Sequence, residues 1–340
     1  MPDSTRFITD ALGRPIQDLR ISVTDRCNYR CTYCMPAEIY GERYHFLPRE
    51  EVLSYEEITR LTRIFVSIGV KKVRLTGGEP LVRLGIHELI TRLNDIPGID
   101  DLTLTTNGYL LADQAEALKK AGLARVTVSL DSLDPEIYAA MNGRGFEPSR
   151  TLAGIKAAED AGLGPIKINS VIERGTTDHT AVALAAHFKG SGHILRFIEF
   201  MDVGNLNGWD RSKVVPSAEL IKRINVETPI EPIAPNYAGE VAERWRYVDG
   251  TGEIGFISSV SQPFCAGCTR ARLSPEGKLF TCLFGSDGFD LKEPLRAGAT
   301  EDEMLALIMG IWRARTDRYS ELRATTGTGA RKVEMYQIGG

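Results

Sequence analysis

The chain has 340 residues, of which 43% are hydrophobic and 25% are charged, and its net charge at pH 7 is −4. This composition is typical of soluble globular proteins, and the weak negative charge argues against nucleic-acid binding. The sequence lacks both the roughly 20-residue apolar run that spans a bilayer and the apolar core of a signal peptide, so we expect a cytoplasmic protein.

Short runs of strand-forming residues alternate with helix-like segments as far as Phe200. Several of the helix-like segments end at a glycine, as helices commonly do. The predicted strands cover residues 19–25, 71–76, 101–107, 125–131, 166–172 and 194–200. Six strand-then-helix units in series predict a parallel sheet in an α/β fold.

Polar and apolar side chains alternate within these predicted strands, as where Arg74 is flanked by Val73 and Leu75. Successive strand side chains point to opposite faces, so one face of the sheet is polar on strand after strand. A doubly wound sheet is covered on both faces, and a complete barrel fills its interior with apolar side chains. We therefore expect an incomplete (β/α)6 TIM-type barrel with a ligand in its lumen. The alternative is a polar face that is merely solvated.

The pattern changes after Phe200, where a Gly- and Asn-rich stretch begins. We predict a short helix at residues 217–224, hairpins at 245–260 and 270–284, and a late helix at 301–318. The sequence therefore predicts two domains, a partial barrel at residues 1–204 and a smaller α+β region at residues 205–340.

Cys27, Cys31 and Cys34 form the pattern C-x3-C-x2-C directly after the first predicted strand. Parallel barrels place functional groups at this end of their strands. Clustered reduced thiols suit zinc or an iron–sulfur cluster, but structural zinc needs a fourth ligand, and none is near in sequence. A cubane cluster held by three cysteines would leave one iron open to a small molecule.

Cys265, Cys268 and Cys282 form a second group, C-x2-C-x13-C, which also lacks a fourth ligand nearby. Structural zinc is a stronger alternative at this group. However, Arg270 and Arg272 lie between its second and third cysteines, which suggests an anionic substrate at an open metal position. The sequence contains no G-x-x-x-x-G-K-[ST] motif, so a nucleotide would not be bound by a P-loop.

The first cysteine motif, combined with the Gly-Gly-Glu-Pro segment at residues 77–80, resembles the radical S-adenosylmethionine superfamily. In that superfamily three cysteines hold a [4Fe-4S] cluster, and S-adenosylmethionine binds its fourth iron. The resemblance implies a full or partial barrel and chemistry by a 5′-deoxyadenosyl radical. Alone, the Gly-Gly-Glu-Pro segment could be only a turn, and a lone Met is more often a core residue. The cofactor contacts implied by the resemblance are Tyr33, Gly78, Glu79, Ser129 and Met201.

Both cysteine motifs, the Thr-Thr-Asn-Gly segment at residues 105–108 and the terminal Gly-Gly further resemble the branch that cyclises GTP. That branch carries out the first step of molybdenum cofactor biosynthesis. The resemblance implies two [4Fe-4S] clusters, loss of the ribose 3′ hydrogen and ring closure to C8, giving (8S)-3′,8-cyclo-7,8-dihydroguanosine 5′-triphosphate. It implies GTP contacts from Arg20, Arg74, Thr105, Lys167, Arg196, Arg270, Ala271 and Arg272. It implies catalytic roles for Arg270, Arg272, Gly339 and Gly340.

The residues support a phosphorylated substrate independently of the resemblance. Arg20, Arg74 and Lys167 lie on the predicted polar face, where buried cations without anionic partners would be costly. A triphosphate in the lumen would compensate them, and arginine suits forked contacts to phosphate. The alternative is internal salt bridges, for example to Glu79 or Glu199.

The resemblance also implies partners. These are a flavodoxin- or ferredoxin-like electron donor and a cyclic pyranopterin monophosphate synthase that acts on the product. We expect no nucleic-acid or membrane partner, and a homodimer is compatible with the sequence. Two other functions stay open at this point: a peptide-modifying maturase with an auxiliary cluster, and a zinc-stabilised binding module without catalysis. For the terminal glycines, disorder is the alternative to a place in the active site.

Overall fold

The structure is a computed structural model that describes residues 8–237, 239–323 and 331–339. Within these residues the strands are β1 (Asp18–Ser22), β2 (Lys72–Thr76), β3 (Asp101–Thr106), β4 (Arg125–Ser129), β5 (Lys167–Ile172), β6 (Ile194–Glu199), β7 (Ile230–Pro232), β8 (Glu243–Tyr247), β9 (Glu253–Ile257), β10 (Arg270–Leu273), β11 (Lys278–Phe280) and β12 (Phe289–Asp290). The α-helices are α1 (Tyr55–Ser67), α2 (Ile86–Asn94), α3 (Ala115–Lys120), α4 (Pro135–Asn142), α5 (Ser149–Asp160), α6 (Ala181–Phe188), α7 (Ser217–Glu227), α8 (Lys292–Arg296), α9 (Glu301–Arg313), α10 (Tyr319–Leu322) and α11 (Met335–Ile338).

All of the strands belong to one sheet, in the order β12-β11-β10-β1-β2-β3-β4-β5-β6-β9-β8-β7. The six predicted parallel strands are confirmed as β1 to β6, which are neighbours in chain order. The sheet has two free ends in this order, so the predicted incomplete barrel is confirmed as an open one.

Two strands from the C-terminal part extend the parallel sheet. β10 pairs with β1 and β9 pairs with β6, both in parallel, so one C-terminal strand flanks each side of the predicted six. The sheet then continues with antiparallel strands, β11 and β12 beside β10, and β8 and β7 beside β9. The predicted division after residue 204 stays a prediction, and the sheet continues across it.

The apolar residues of the strands form the core against the helices. Leu19, Val73, Leu104, Val126 and Ile168 all belong to one buried hydrophobic cluster. Helix α1 begins with a capping box, in which Ser54 and Glu57 satisfy each other's backbone N–H groups. Packing of the apolar helix faces on one side of the sheet leaves the other side for the polar strand residues. None of the helices within the described ranges is long and apolar enough to cross a membrane.

Candidate active site

A cavity of about 310 Å³ lies on the polar face of the sheet. The strand residues that line it come from β1, β2, β3, β4, β5, β6, β8, β9 and β10, and both cysteine groups contribute to the same lining. The fold therefore brings most of the predicted site residues together. Those in the lining are Arg20, Cys27, Cys31, Tyr33, Cys34, Arg74, Gly78, Glu79, Thr105, Ser129, Lys167, Arg196, Met201, Cys265, Cys268, Arg270, Arg272 and Cys282.

The first cysteine group lies in the loop after β1 and is partly buried. Burial, and then the nearby Glu79 carboxylate, raise the pKa of the Cys27 thiol to about 12. Burial and the charge of Cys27 also raise the pKa of Cys31. A bound cation stabilises thiolates in such a place, so the donor set fits the iron ions of a cluster.

A cubane cluster and a single metal ion need different arrangements of thiolates. Among the described residues, no three His, Cys, Asp or Glu side chains are arranged to hold a single metal ion. A [4Fe-4S] cluster binds each cysteine through a different iron, so its thiolates do not need to converge on one point.

Arg30 organises the loop that carries this first group. Its guanidinium is buried and donates to the carbonyl oxygens of Tyr29 at 2.7 Å, Cys27 at 2.8 Å and Tyr40 at 2.5 Å. These carbonyls lie on both sides of Cys31 and Cys34, so the side chain fixes the path of the loop. This role could not be predicted from the sequence, because an arginine between two cysteines resembles an exposed loop residue.

The Gly-Gly-Glu-Pro segment packs tightly on the start of the same loop. Gly78 N donates to Thr24 O at 2.8 Å, and Glu79 N donates to Arg26 O at 2.9 Å. A β-carbon on Gly78 would overlap the carbonyl oxygen of Arg26, and one on Gly77, whose φ is +152°, would overlap that of Thr24. The close backbone approach that glycine permits here is therefore an approach to residues 24–26. This packing sets the position of the cysteine loop relative to β2.

Two buried carboxylates face the first cysteine group. Glu79 accepts hydrogen bonds from Thr106 Oγ1 at 2.7 Å and from Asn107 N at 2.7 Å, and burial raises its pKa to about 7. Asp131 accepts from Tyr33 OH at 3.0 Å, and burial raises its pKa to about 6. Ser129 and Met201 line the cavity as predicted, whereas Asp131 and Asn107 were not predicted.

A group of cations lies deeper along the polar face. Arg20 and Arg74 are 7% exposed each, and their Nε atoms have no hydrogen-bond partner among the described residues. Arg196 donates to Asn169 Oδ1 at 2.9 Å, but its Nη2 is buried and unpartnered within those residues, as is Thr105 Oγ1. Within the described ranges, Glu79 and Glu199 accept hydrogen bonds from other residues, so salt bridges to them do not compensate these cations. Asp18, which lines the same cavity, partly offsets the charges of Arg20 and Arg74. We conclude that these donors point at space suited to an anion.

Mutual repulsion perturbs the same cations. Burial, and then the charges of Arg272 and Arg74, lower the pKa of Arg20. Burial and the charge of Arg196 lower the pKa of Lys167 to about 7. A bound polyanion would raise the pKa of both side chains again, because it stabilises their charged forms.

The second cysteine group lies on the opposite side of the cavity from β6, next to β10 and β11. Cys265 begins a short 3-10 helix, and Cys268 ends it. The Arg270 guanidinium donates to Cys268 Sγ at 3.2 Å and 3.3 Å. Burial acts to raise the pKa of Cys268, but Arg270 and Arg315 outweigh it and lower the pKa to about 6. Cys268 is thus already suited to bind a metal as the thiolate.

A buried network supports this second group from behind. Asp10 accepts from Arg14 at 2.6 Å and from Arg315 at 3.2 Å. Arg14 in turn donates to Cys265 O at 2.9 Å, and Arg315 donates to Cys268 O at 2.8 Å. The network could not be predicted from the sequence, because it joins the two ends of the chain. Asp10 and Arg315 are 305 residues apart.

Ala271 differs from its predicted neighbours. It lies between Arg270 and Arg272 on β10, so its side chain points to the other face and is buried in the apolar core. Of these three residues, only Arg270 and Arg272 line the cavity.

The C-terminal segment enters the same region. Arg272 Nη1 donates to the carbonyl oxygens of Gly339 and, at 3.4 Å, of Ile338. The φ of Gly339 is +70°, and a β-carbon there would overlap the side chain of Thr76 at the end of β2. Glycine is therefore required at this position. Gly340 lies outside the described residues.

Comparison with known proteins identifies two family regions. The model of the Radical SAM superfamily matches residues 21–188, and the model of Molybdenum Cofactor Synthesis C matches residues 193–321. A solved structure of Streptococcus suis SuiB bound to S-adenosylmethionine superposes with a TM-score of 0.61 and 17% identity, covering 95% of this chain and 77% of that chain. That likeness confirms the fold.

Curated relatives match over their full length. A GTP 3′,8-cyclase of Acidothermus cellulolyticus is 51% identical over 99% of this chain and 100% of its own. One from Xanthomonas campestris pv. campestris is 50% identical over 100% of both chains, and one from Staphylococcus carnosus is 48% identical over 98% and 99%. With two cysteine groups in one cavity and these relatives, the chain belongs to the GTP 3′,8-cyclase family of the radical S-adenosylmethionine superfamily.

Proposed function

We propose that this chain converts GTP to (8S)-3′,8-cyclo-7,8-dihydroguanosine 5′-triphosphate, the first step of molybdenum cofactor biosynthesis. The observation that carries the proposal is that both cysteine groups and a group of buried cations line one cavity, and that several nitrogens of these cations have no partner among the described residues. Bound together, a [4Fe-4S] cluster and S-adenosylmethionine supply a 5′-deoxyadenosyl radical that removes the ribose 3′ hydrogen. The chain's own residues bind, orient and shield the reactants.

Cys27, Cys31 and Cys34 would hold the cluster to which S-adenosylmethionine binds. The buried carboxylates of this region explain how a cationic ligand is accepted. Glu79 and Asp131 are both held by hydrogen bonds in the cavity wall, and a positive amine or sulfonium nearby would favour their ionised forms. We assign cofactor contacts to Tyr33, Gly78, Glu79, Ser129 and Met201.

Cys265, Cys268 and Cys282 would hold a second [4Fe-4S] cluster with one iron open to the guanine base. Arg270 on Cys268 Sγ and the backbone contacts of Arg14 and Arg315 support such a cluster. Three protein ligands without a fourth favour a ligand-binding cluster over structural zinc.

The triphosphate would lie against the cations of the polar face. Arg20 and Arg74 present unpartnered Nε atoms, and guanidinium groups form forked, charge-assisted hydrogen bonds with phosphate oxygens. Burial in the barrel excludes water, which both strengthens these contacts and protects a carbon radical. The substrate contacts in this proposal are Arg20, Arg74, Thr105, Lys167, Arg196, Arg270 and Arg272.

The terminal glycines would complete the site. Gly339 binds Arg272, which is itself a proposed substrate contact, so the tail and GTP meet at one side chain. We propose that deletion of Gly339 and Gly340 leaves both clusters in place but abolishes turnover.

The electron donor, the next enzyme and the assembly state are also part of the proposal. A flavodoxin- or ferredoxin-like protein would deliver electrons in the cytoplasm, and a cyclic pyranopterin monophosphate synthase would consume the product. A homodimer is compatible with this scheme.

An anaerobic reaction tests the proposal. Reconstituted protein is mixed with S-adenosylmethionine, GTP and dithionite, and we expect 5′-deoxyadenosine together with a cyclised guanine product. Iron analysis should give about eight irons per chain, falling to about four in either Cys27→Ser or Cys268→Ser. Cleavage of S-adenosylmethionine at the same rate with and without GTP would favour a peptide-modifying maturase. A colourless protein that holds only zinc would favour a zinc-stabilised binding module without catalysis.

A further inference from the structure

Asp202 lies directly after Met201 in the loop that follows β6, and its carboxylate accepts three hydrogen bonds from the C-terminal part of the chain. Its backbone carbonyl accepts a fourth, from Lys332 Nζ at 2.8 Å. Its Oδ1 accepts from Arg323 Nε at 2.8 Å. Its Oδ2 accepts from Tyr319 OH at 2.5 Å and from Lys332 Nζ at 2.7 Å. The side chains of Asp202 and Lys332 are only 11% and 10% exposed, so the bond between them is largely shielded from water.

One of these donors, Tyr319, belongs to an aromatic pair beside the second cysteine group, and the other two lie against that pair. Phe284, two residues after Cys282, stacks on Tyr319 with ring centroids 4.5 Å apart. Lys332 Nζ lies 4.8 Å from the Tyr319 centroid, and the Arg323 guanidinium lies 5.3 Å from the Phe284 centroid. The carboxylate of Asp202 therefore links the loop of Met201 to the loop of Cys282.

The chain beyond Lys332 is tied to the loop of Asp202 and to the loop of Cys282. Lys332 N donates to Asn205 Oδ1 at 2.9 Å, and Asn205 N donates to Glu334 at 3.0 Å. Val333 N donates to Gly285 O at 2.8 Å. This part of the tail is therefore fixed at the mouth of the cavity before it turns inward.

From this anchor the tail passes over the first cysteine loop. Tyr336 OH lies 2.9 Å from Tyr44 OH, and its ring packs edge-on against Tyr40 at 5.1 Å. Three residues later, Gly339 binds Arg272. Any movement at Lys332 would thus be transmitted along a short chain segment to the proposed substrate site.

We propose that Asp202 is a positioning residue that holds the C-terminal tail in the cavity through Lys332, Arg323 and Tyr319. Two cations and a hydroxyl converge on one carboxylate, so its removal leaves Arg323 and Lys332 close together without a counter-charge. The tail then loses its ion pair with Asp202 and keeps only hydrogen bonds, such as those from Lys332 Nζ to Asp202 O and from Lys332 N to Asn205 Oδ1, while the cluster loops keep their own supports. The consequence for turnover rests on the proposed function, but the contact itself does not.

Trypsin cleavage tests the contact without GTP or cofactor. Cleavage after Lys332 releases residues 333–340, and mass spectrometry measures the rate of release from folded full-length protein. We expect release about tenfold faster in Asp202→Asn and about threefold faster in Tyr319→Phe, which keeps the ring stack. Asp202→Glu should stay close to the parent protein. Asp113→Asn, which removes the exposed partner of Arg150, is the matched control and should change nothing.

The rate of GTP turnover tests whether loss of the Asp202 contact affects catalysis. In Asp202→Asn we expect kcat for GTP to fall about tenfold with KM changed less than about twofold, and Asp202→Glu to restore most of the loss. Unchanged release of residues 333–340 in both Asp202→Asn and Tyr319→Phe overturns the inference, as does faster release with unchanged kcat. If the parent protein makes no product from GTP, the proposed function fails and peptide release alone decides the role of Asp202.

Discussion

Arg20 on β1 and Arg74 on β2 occupy paired positions on neighbouring parallel strands. Both side chains point into the cavity and are buried, and the Nε atom of each lacks a hydrogen-bond partner within the described ranges. Two like charges on paired positions destabilise a sheet unless a ligand compensates them. Asp18 on β1 offsets part of this charge, and the unpartnered Nε atoms favour a further anion that arrives from outside.

Replacing either arginine should affect folding and binding in opposite directions. We expect Arg20→Met and Arg74→Met to raise the free energy of unfolding of the ligand-free protein by about 1 kcal/mol, because each removes one of several buried cations that Asp18 offsets only in part. Each should weaken GTP binding by tenfold or more, since charge-assisted hydrogen bonds are worth about 1.5–3 kcal/mol. Urea unfolding and calorimetry measure the two effects. The exposed Arg150→Met is the control, and unchanged GTP affinity in both variants would contradict the assignment.

Lys167 should make GTP binding take up a proton. Burial and Arg196 lower its pKa to about 7 in the ligand-free protein, below its unfolded value, so stability should rise between about pH 7 and pH 10 by up to about 1.4 kcal/mol per pH unit. A bound triphosphate restores the charge. At pH 8 we therefore expect proton uptake, seen by calorimetry in two buffers of different ionisation enthalpy, and weaker binding as the pH rises further. Lys167→Met should abolish the uptake; if uptake persists there, another group is responsible.

Gly78→Ala should disrupt the first cysteine loop. A β-carbon would overlap Arg26 O, and the backbone must move, at a cost of about 3 kcal/mol. We expect loss of iron from the first site and loss of S-adenosylmethionine cleavage, with the second site still loaded. Gly310→Ala on α9 meets no atom within 4 Å and should stabilise the chain slightly. A Gly78→Ala protein with full iron content would show that the packing against residues 24–26 is dispensable.

Asp10→Asn should loosen the second cysteine group. It leaves Arg14 buried without its counter-charge and leaves Arg315 only the partly exposed Asp317, which we expect to lower the free energy of unfolding by about 3 kcal/mol. Iron bound at the second site should then be lost more readily to a chelator. Asp249→Asn removes the charge of the exposed partner of Lys189 and should lower the free energy of unfolding much less than Asp10→Asn does. If Asp10→Asn and Asp249→Asn lower the free energy of unfolding equally, Asp10 has no special role at the second cysteine group.

The sequence predicted the parts of the site that are local or periodic. The alternation around Arg20, Arg74 and Lys167 places cations on one face of a strand without any knowledge of tertiary contacts. The two cysteine spacings likewise indicate metal loops by themselves. Both features are confirmed as linings of one cavity, although the roles of the individual residues stay predictions.

The contacts between distant segments could not be predicted in this way. Asp10 and Asp202 resemble ordinary surface acids in sequence, and their partners lie 305 and 130 residues away. The parallel pairing of β9 and β10 was also missed, because strands that also form hairpins carry no local signal of parallel neighbours. The packing of Gly78 against residues 24–26 was also not predicted, while its contact with the cofactor stays a prediction.

The most direct test of the proposed function follows the ribose 3′ hydrogen of GTP. The reconstituted enzyme is given GTP deuterated at C3′ under anaerobic reducing conditions, and the 5′-deoxyadenosine is examined by mass spectrometry. We predict that one deuterium is transferred to 5′-deoxyadenosine, and that GTP deuterated at C2′ transfers none. Formation of 5′-deoxyadenosine without deuterium from C3′, in a reaction that consumes GTP, would contradict it.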